Sequence, residues 1–289
     1  MRIRLMISIL YLILGIMSVY TNVIIFFIPL LTLPLIRFHV GTKLSREYIL
    51  LDIVIAFIMY FASNSVLNCV IYITLIILPA YSIIKEQEKE SINYPKLIFL
   101  TGTIIWGGLL VQGELMKYYG YSYYEAYRSL ISNMFVAMNS EIYALGLEEL
   151  MLSMYPSTLF VSAILLAFIT VSVNQKRVSQ DSMINQLFSF RLSKMIFLII
   201  LLAIIMVFNT DIMYLSEIGM NLIFILFILF YVAGMWGMMS YVIMAKTTPV
   251  AKFLGIIMML IVLPIAPIFP LLYGFFDAIF NFRRIELVV

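Results

Sequence analysis

Residues 218–244 read IGMNLIFILFILFYVAGMWGMMSYVIM, 27 positions without one charged side chain. At 1.5 Å of rise per residue a helix of this length runs to about 40 Å, more than the roughly 30 Å of a bilayer's hydrocarbon core. It is apolar on every side, so it has no face to offer to water. Lipid is the solvent that suits it, and lipid admits a single spanning segment only as a helix, with all its backbone groups paired internally.

Working outward, the same pattern recurs. The chain is 289 residues long, 64% hydrophobic and only 11% charged, with a mean hydropathy of +1.09. A soluble domain is about a quarter charged. The spans expected upstream are Leu5–Tyr20, Asn22–Ile36, Tyr48–Ala62, Val66–Ile84, Leu97–Gln112, Tyr155–Val173 and Met195–Phe208. Met1-Arg2-Ile3-Arg4 before an apolar run has the look of a signal peptide, but no small-x-small cleavage site follows, and it reads as a retained first span. Downstream, Phe253–Phe282 is apolar for 30 residues and carries Pro264, Pro267 and Pro270 near its middle. It forms either one kinked helix or a hairpin of two half-length helices, and the hairpin is favoured. The expected fold is all-α, a polytopic membrane bundle of eight to ten spans.

Glu114–Ser153 breaks the rhythm. It is too polar for hydrocarbon, yet Tyr127, Leu130, Ile131, Met134, Phe135, Met138 and Ile142 recur at helical spacing. Amphipathic helices on the membrane surface, or capping the bundle, are expected here. Tyr118, Tyr119, Tyr121, Tyr123 and Tyr124 beside it fit an interfacial anchoring belt. The chain thus divides into 1–113, an N-terminal bundle of five spans; 114–153, the amphipathic segment; and 154–289, a C-terminal bundle.

Basic residues orient the bundle. Alternate threading puts 14 of the 18 Lys and Arg on one side, among them Arg2, Arg37, Lys85, Lys96, Lys176, Arg191 and Lys246. That side is then cytoplasmic, the N-terminus included, and 114–153 is external. A hairpin at the end would return Arg283 and Arg284 to the cytoplasmic side.

Chemistry is sparse. Cys69 and His39 are the single cysteine and histidine, which excludes an internal disulfide and His-pair zinc sites and makes Ser-His-Asp catalysis improbable. HExxH, GxSxG, a P-loop and paired intramembrane aspartates are all missing, so no enzyme activity and no cofactor is expected, and any transport would need a partner or an ion for energy. The basic residues are scattered among short loops, which points away from nucleic acid. Polar side chains near lipid invite a functional reading. Asn64 and Asn68, one turn apart at the start of the fourth span, could line a cavity or serve interhelical hydrogen bonding. Glu217 and Asn221, on one face at the start of the eighth, could bind a small polar ligand or stabilise the helix end. Asp277 should be paired, to Arg284 on a bent helix, to Lys246 or to Arg191. It reads with Arg283 and Arg284 as structural and not as a catalytic acid.

Five short stretches carry a resemblance: Phe188-Ser189-Phe190-Arg191-Leu192, Gly219-Met220-Asn221-Leu222, Tyr231-Val232-Ala233-Gly234, Gly274-Phe275-Phe276-Asp277 and Asn281-Phe282-Arg283-Arg284. Together they resemble the YybS-like family of bacterial membrane proteins, over roughly residues 185–286. Ser193 stands where that family favours Pro, and Asn281 where it favours Asp. More remotely the family is similar to the substrate-binding S-components of energy-coupling-factor transporters and to the MreD cell-shape proteins. The first similarity implies a membrane-embedded protein that binds a small molecule and borrows its energy from a membrane partner. The second implies an envelope scaffold acting through protein contacts in the membrane.

Overall fold

The computed structural model describes residues 53–54, 56–58, 60–61, 66–89, 91–137, 144–174, 180–209, 213–244 and 248–283. All regular structure among these is helical: α1 Val66–Gln87, α2 Tyr94–Tyr118, α3 Tyr123–Ala137, α4 Ala144–Ser153, α5 Tyr155–Asn174, α6 Gln180–Phe188, α7 Ile196–Phe208, α8 Met213–Met244, α9 Pro249–Ile265 and α10 Ile268–Phe280. Four helices are long and apolar enough to cross a membrane, α1, α2, α5 and Tyr214–Ile243 of α8, and α7, α9 and α10 are shorter apolar helices. The protein is an all-α, multi-pass membrane protein. The three spans expected before Asn64 lie largely outside the described residues.

The chain separates into two compact units, Met1–Arg177 and Val178–Val289. The sequence suggested a boundary at 153/154, but α5 packs on α2 and belongs to the first unit. Alanines let these two helices close: Ala163 and Ala167 are fully buried, and Gly102 lies directly against Ile164. Without a hydrophobic force between helices in lipid, close contact of small residues is what holds a crossing together. Tyr72, Leu75, Ile76 and Ile83 of α1 and Leu97 and Ile105 of α2 are buried, and Gly108 of α2 lies against Leu75 and Thr74 of α1. A hydroxyl pair, Ser82 Oγ and Thr101 Oγ1 at 2.9 Å, joins them near one end, and Gln87 Nε2 donates to the Asn174 carbonyl of α5 at 3.0 Å.

α1 contains a π-helical turn at Ile73–Ile77, with Leu78 N donating to Ile73 O. Pro79 follows directly. A proline inside a helix lacks its N–H and crowds the carbonyl four residues back, here Leu75, and a widened turn relieves that crowding without ending the helix.

In the second unit α7, α8 and α10 make the core, from Leu192, Ile196, Leu226, Phe230, Ala233 and Ala278. Phe197, Phe230 and Phe275 stack around one another with ring centroids 5.2–6.1 Å apart. The closest helix approach is glycine on glycine. A Cβ on Gly234 would lie 1.7 Å from Pro270 O, and one on Gly274 would lie 2.1 Å from Phe230 O. No side chain fits at either position, so the backbones of α8 and α10 touch.

The long C-terminal apolar run is a hairpin of two helices, broken at Ala266-Pro267. Direction follows from contacts. Gly255 of α9 meets Val242, so α9 turns back along α8. Gly234 meets Gly274, and Gly237 meets the guanidinium of Arg283 that closes α10, so α10 runs parallel to α8. Residue 283 therefore ends on the side where α8 ends.

Candidate functional site

The polar centre of the second unit lies where α10 ends. Asn281 adopts a left-handed conformation, φ 51°, and its N–H donates to Asp277 O at 3.0 Å. Asparagine tolerates that region better than other side-chain-bearing residues do. The turn folds the chain back, and Arg283 reaches Asp277: Nε and Nη2 donate to Oδ2 at 3.0 and 2.7 Å. Both side chains are almost fully buried, 2% exposed for Asp277 and 5% for Arg283.

Arg283 does more than neutralise the carboxylate. Nη1 donates to Phe188 O at 2.5 Å and Nη2 to Phe190 O at 2.7 Å. Arg191 returns the contact: Nε donates to Asp277 O at 2.9 Å and Nη2 to Ala278 O at 3.1 Å. Each helix end leaves carbonyls without an intrahelical partner. Here one arginine satisfies carbonyls at the end of α6 and the other satisfies those at the end of α10. Phe188 also packs edge-on against Trp236 of α8, with centroids 5.5 Å apart. The stretches at Phe188, Tyr231, Gly274 and Asn281 thus meet at one place. Asp277 Oδ1 stays buried without a hydrogen bond.

Asp277 is paired, as the sequence suggested, and among the described residues its partner is Arg283 and not Arg191. The left-handed turn shortens a six-residue separation that a continuous helix would not close. Arg191 binds the backbone instead of the carboxylate. Arg284, Lys246 and Asn64 lie outside the described residues.

Glu217 and Asn221 lie one turn apart in α8, both half-exposed. The Asn221 amide donates to the Glu217 backbone carbonyl at 2.9 Å. Glu217 itself forms no ion pair among the described residues. Gly219 between them packs on Ala203 and Val207 of α7, which places the pair beside the α7–α8 connection. Asn68 is a half-exposed residue of α1 in the first unit. Neither unit gathers these residues into a larger polar cluster by itself, and no group of three metal-ligating side chains occurs among the described residues.

A second polar cluster, passed over in the sequence, lies in the first unit where α2, α3 and α5 meet. Gln112 is 3% exposed. Its Nε2 donates to Tyr123 Oη at 2.8 Å, while Oε1 is buried without a partner. Burial pushes the Tyr123 phenol up from its ordinary value, and the bond from Gln112 opposes that shift. The ring of Tyr155 stands 5.6 Å from Tyr124 and 5.1 Å from Tyr127. Tyr127 donates to Met151 O at 3.0 Å, tying α3 to α4. Gln112 near the end of an apolar run and Tyr123, Tyr124, Tyr127 and Tyr155 were visible in the sequence; that they converge was not.

No family description, no curated protein and no solved structure matches the chain.

Proposed function

We propose that this protein binds a small polar molecule within the membrane and takes part in its transport without an energy source of its own. In this reading it is S-component-like and YybS-like, sits in a bacterial cytoplasmic membrane with its N-terminus inside, and crosses eight to ten times. The observation that carries the proposal is Glu217: a half-exposed carboxylate without an ion pair among the described residues, one turn from Asn221, at the start of the most apolar long helix. A carboxylate at such a place is costly unless a partner or water meets it. A scaffold would bury both side chains in helix contacts, and neither is buried. Energy would come from a membrane partner or an ion, and no enzymatic chemistry is part of the proposal.

The test is a ligand screen by thermal unfolding of purified full-length protein, repeated with Glu217→Gln. A small polar compound that stabilises the wild type and not the variant supports the reading. If no compound class stabilises the protein, or every stabilising compound acts equally on Glu217→Gln, the proposal fails. The second reading, an envelope scaffold, is favoured by one observation. α9 leaves Val250, Phe253, Leu254, Met258 and Ile261 exposed, an apolar face that a protein partner could cover as well as lipid.

A further inference from the structure

We propose that α9 and α10 form a re-entrant hairpin, which enters the bilayer from the side where α8 ends and turns back inside it, with its tip against the lipid acyl chains. The inference is independent of Glu217 and Asn221. Of the eight to ten crossings expected, the hairpin then supplies none.

Position along α8 comes first. Gly234 touches Pro270 and Gly274 touches Phe230, so the middle of the crossing sets residue 272 level with residue 232. Pro267, five residues earlier on a parallel helix, lies level with about residue 227. The other arm agrees. Gly255 meets Val242, and Ile265, ten residues on in an antiparallel helix, lies level with about residue 232. α7 supplies the ruler. Val207, next to its last residue, meets Gly219, and the polar connection Asn209-Thr210-Asp211 follows. At 1.5 Å per residue the hairpin tip stops about 12–20 Å short of that level. A tilt between the helices only shortens its reach.

The chemistry of the tip points the same way. From Phe253 to Leu272 no side chain is polar. At the reversal Ile265, Ile268 and Phe269 are exposed, and so is Pro267. A turn at a membrane surface meets water and carries polar side chains, as the connection after α7 does; this one fits hydrocarbon. Polar groups gather at the foot of the hairpin, where Arg283 pairs with Asp277.

Hydrocarbon leaves unmet every backbone group that the protein does not pair. The first four N–H groups of a helix have no partner within it. At the start of α10, Phe269 N donates to Ala266 O and Leu271 N to Pro267 O, both at 3.3 Å, and Pro270 has no N–H at all. The break itself is only Ala266-Pro267, and its proline removes another donor. This reversal asks little of water.

Nitroxide labels on Ile265→Cys and Ile268→Cys, in a Cys69→Ser background of the full-length protein in lipid vesicles, measure the depth of the tip. The readout is collision with oxygen, which concentrates in hydrocarbon, against collision with a nickel chelate, which stays in water. Labels on Phe208→Cys and Thr248→Cys mark the two surfaces. The ratio of oxygen to nickel collisions at the two tip positions should exceed that at both surface positions several-fold. Either tip position serves if the other variant does not fold. A ratio no higher than at Phe208→Cys would place the tip at a membrane surface, make the hairpin two full crossings and overturn the proposal. Tip labels that neither probe reaches would place the tip beneath protein and overturn it as well.

Discussion

At the scale of single residues the Asp277–Arg283 pair sets the account. Two buried charges repay their desolvation only with good geometry and further hydrogen bonds, and removing one partner leaves the other stranded. Arg283 makes four hydrogen bonds here, two to Asp277 Oδ2 and two to carbonyls. Asp277→Asn keeps an acceptor and should cost about 1–3 kcal/mol. Asp277→Leu strands a buried guanidinium and should cost about 3–5 kcal/mol. Thermal unfolding in detergent ranks them, and equal stability of Asp277→Leu and wild type would refute the pairing argument. That Asp277 needs a partner was legible, because a carboxylate beyond a long apolar run has few alternatives. Which arginine answers was not, because the choice depends on a single left-handed residue, Asn281, and helical spacing assumes the helix continues.

Among the elements, the crossing of α8 on α10 is the sharpest contact. Gly234 and Gly274 touch backbone to backbone, so a branched side chain forces the helices apart. Gly274→Val should cost about 1–3 kcal/mol or more, since overpacking of a tight core shifts backbones. Gly107, whose Cβ would meet nothing within 4 Å, is the control. Gly107→Ala adds helix propensity and meets no neighbour, so it should keep or raise the melting temperature; one as low as that of Gly274→Val would mean that the loss is not specific to the α8–α10 contact. α3 shows a partial success of periodicity. The stripe from Tyr127 to Phe135 was visible, and Tyr127 and Ile131 do turn inward. Leu130 and Met134, 57% and 44% exposed, sit on the neighbouring face. If those two meet lipid, Met134→Glu should loosen α3 and raise its proteolysis from outside, and unchanged cleavage would argue against lipid contact. Span positions α1, α2, α5, α7 and α8 followed from apolar length to within a few residues at most ends. α2 runs on to Tyr118, with Glu114 and Lys117 paired along its last turns, a stretch that polarity alone reads as a loop.

For the whole molecule, the central claim is a membrane bundle whose C-terminal hairpin brings residue 283 back beside Arg191. The long apolar run with three prolines left one span or two open from sequence, because proline both kinks and ends helices. Parallel packing of α8 and α10 decides it. Single-cysteine labelling in a Cys69→Ser background measures the outcome directly, with Ser140→Cys, Ser182→Cys, Thr210→Cys, Thr248→Cys and Glu286→Cys probed in intact cells by an impermeant maleimide. The account predicts that positions 140 and 210 label from outside, while 182, 248 and 286 label only after lysis. Labelling of 286 together with 140 and 210 would contradict it.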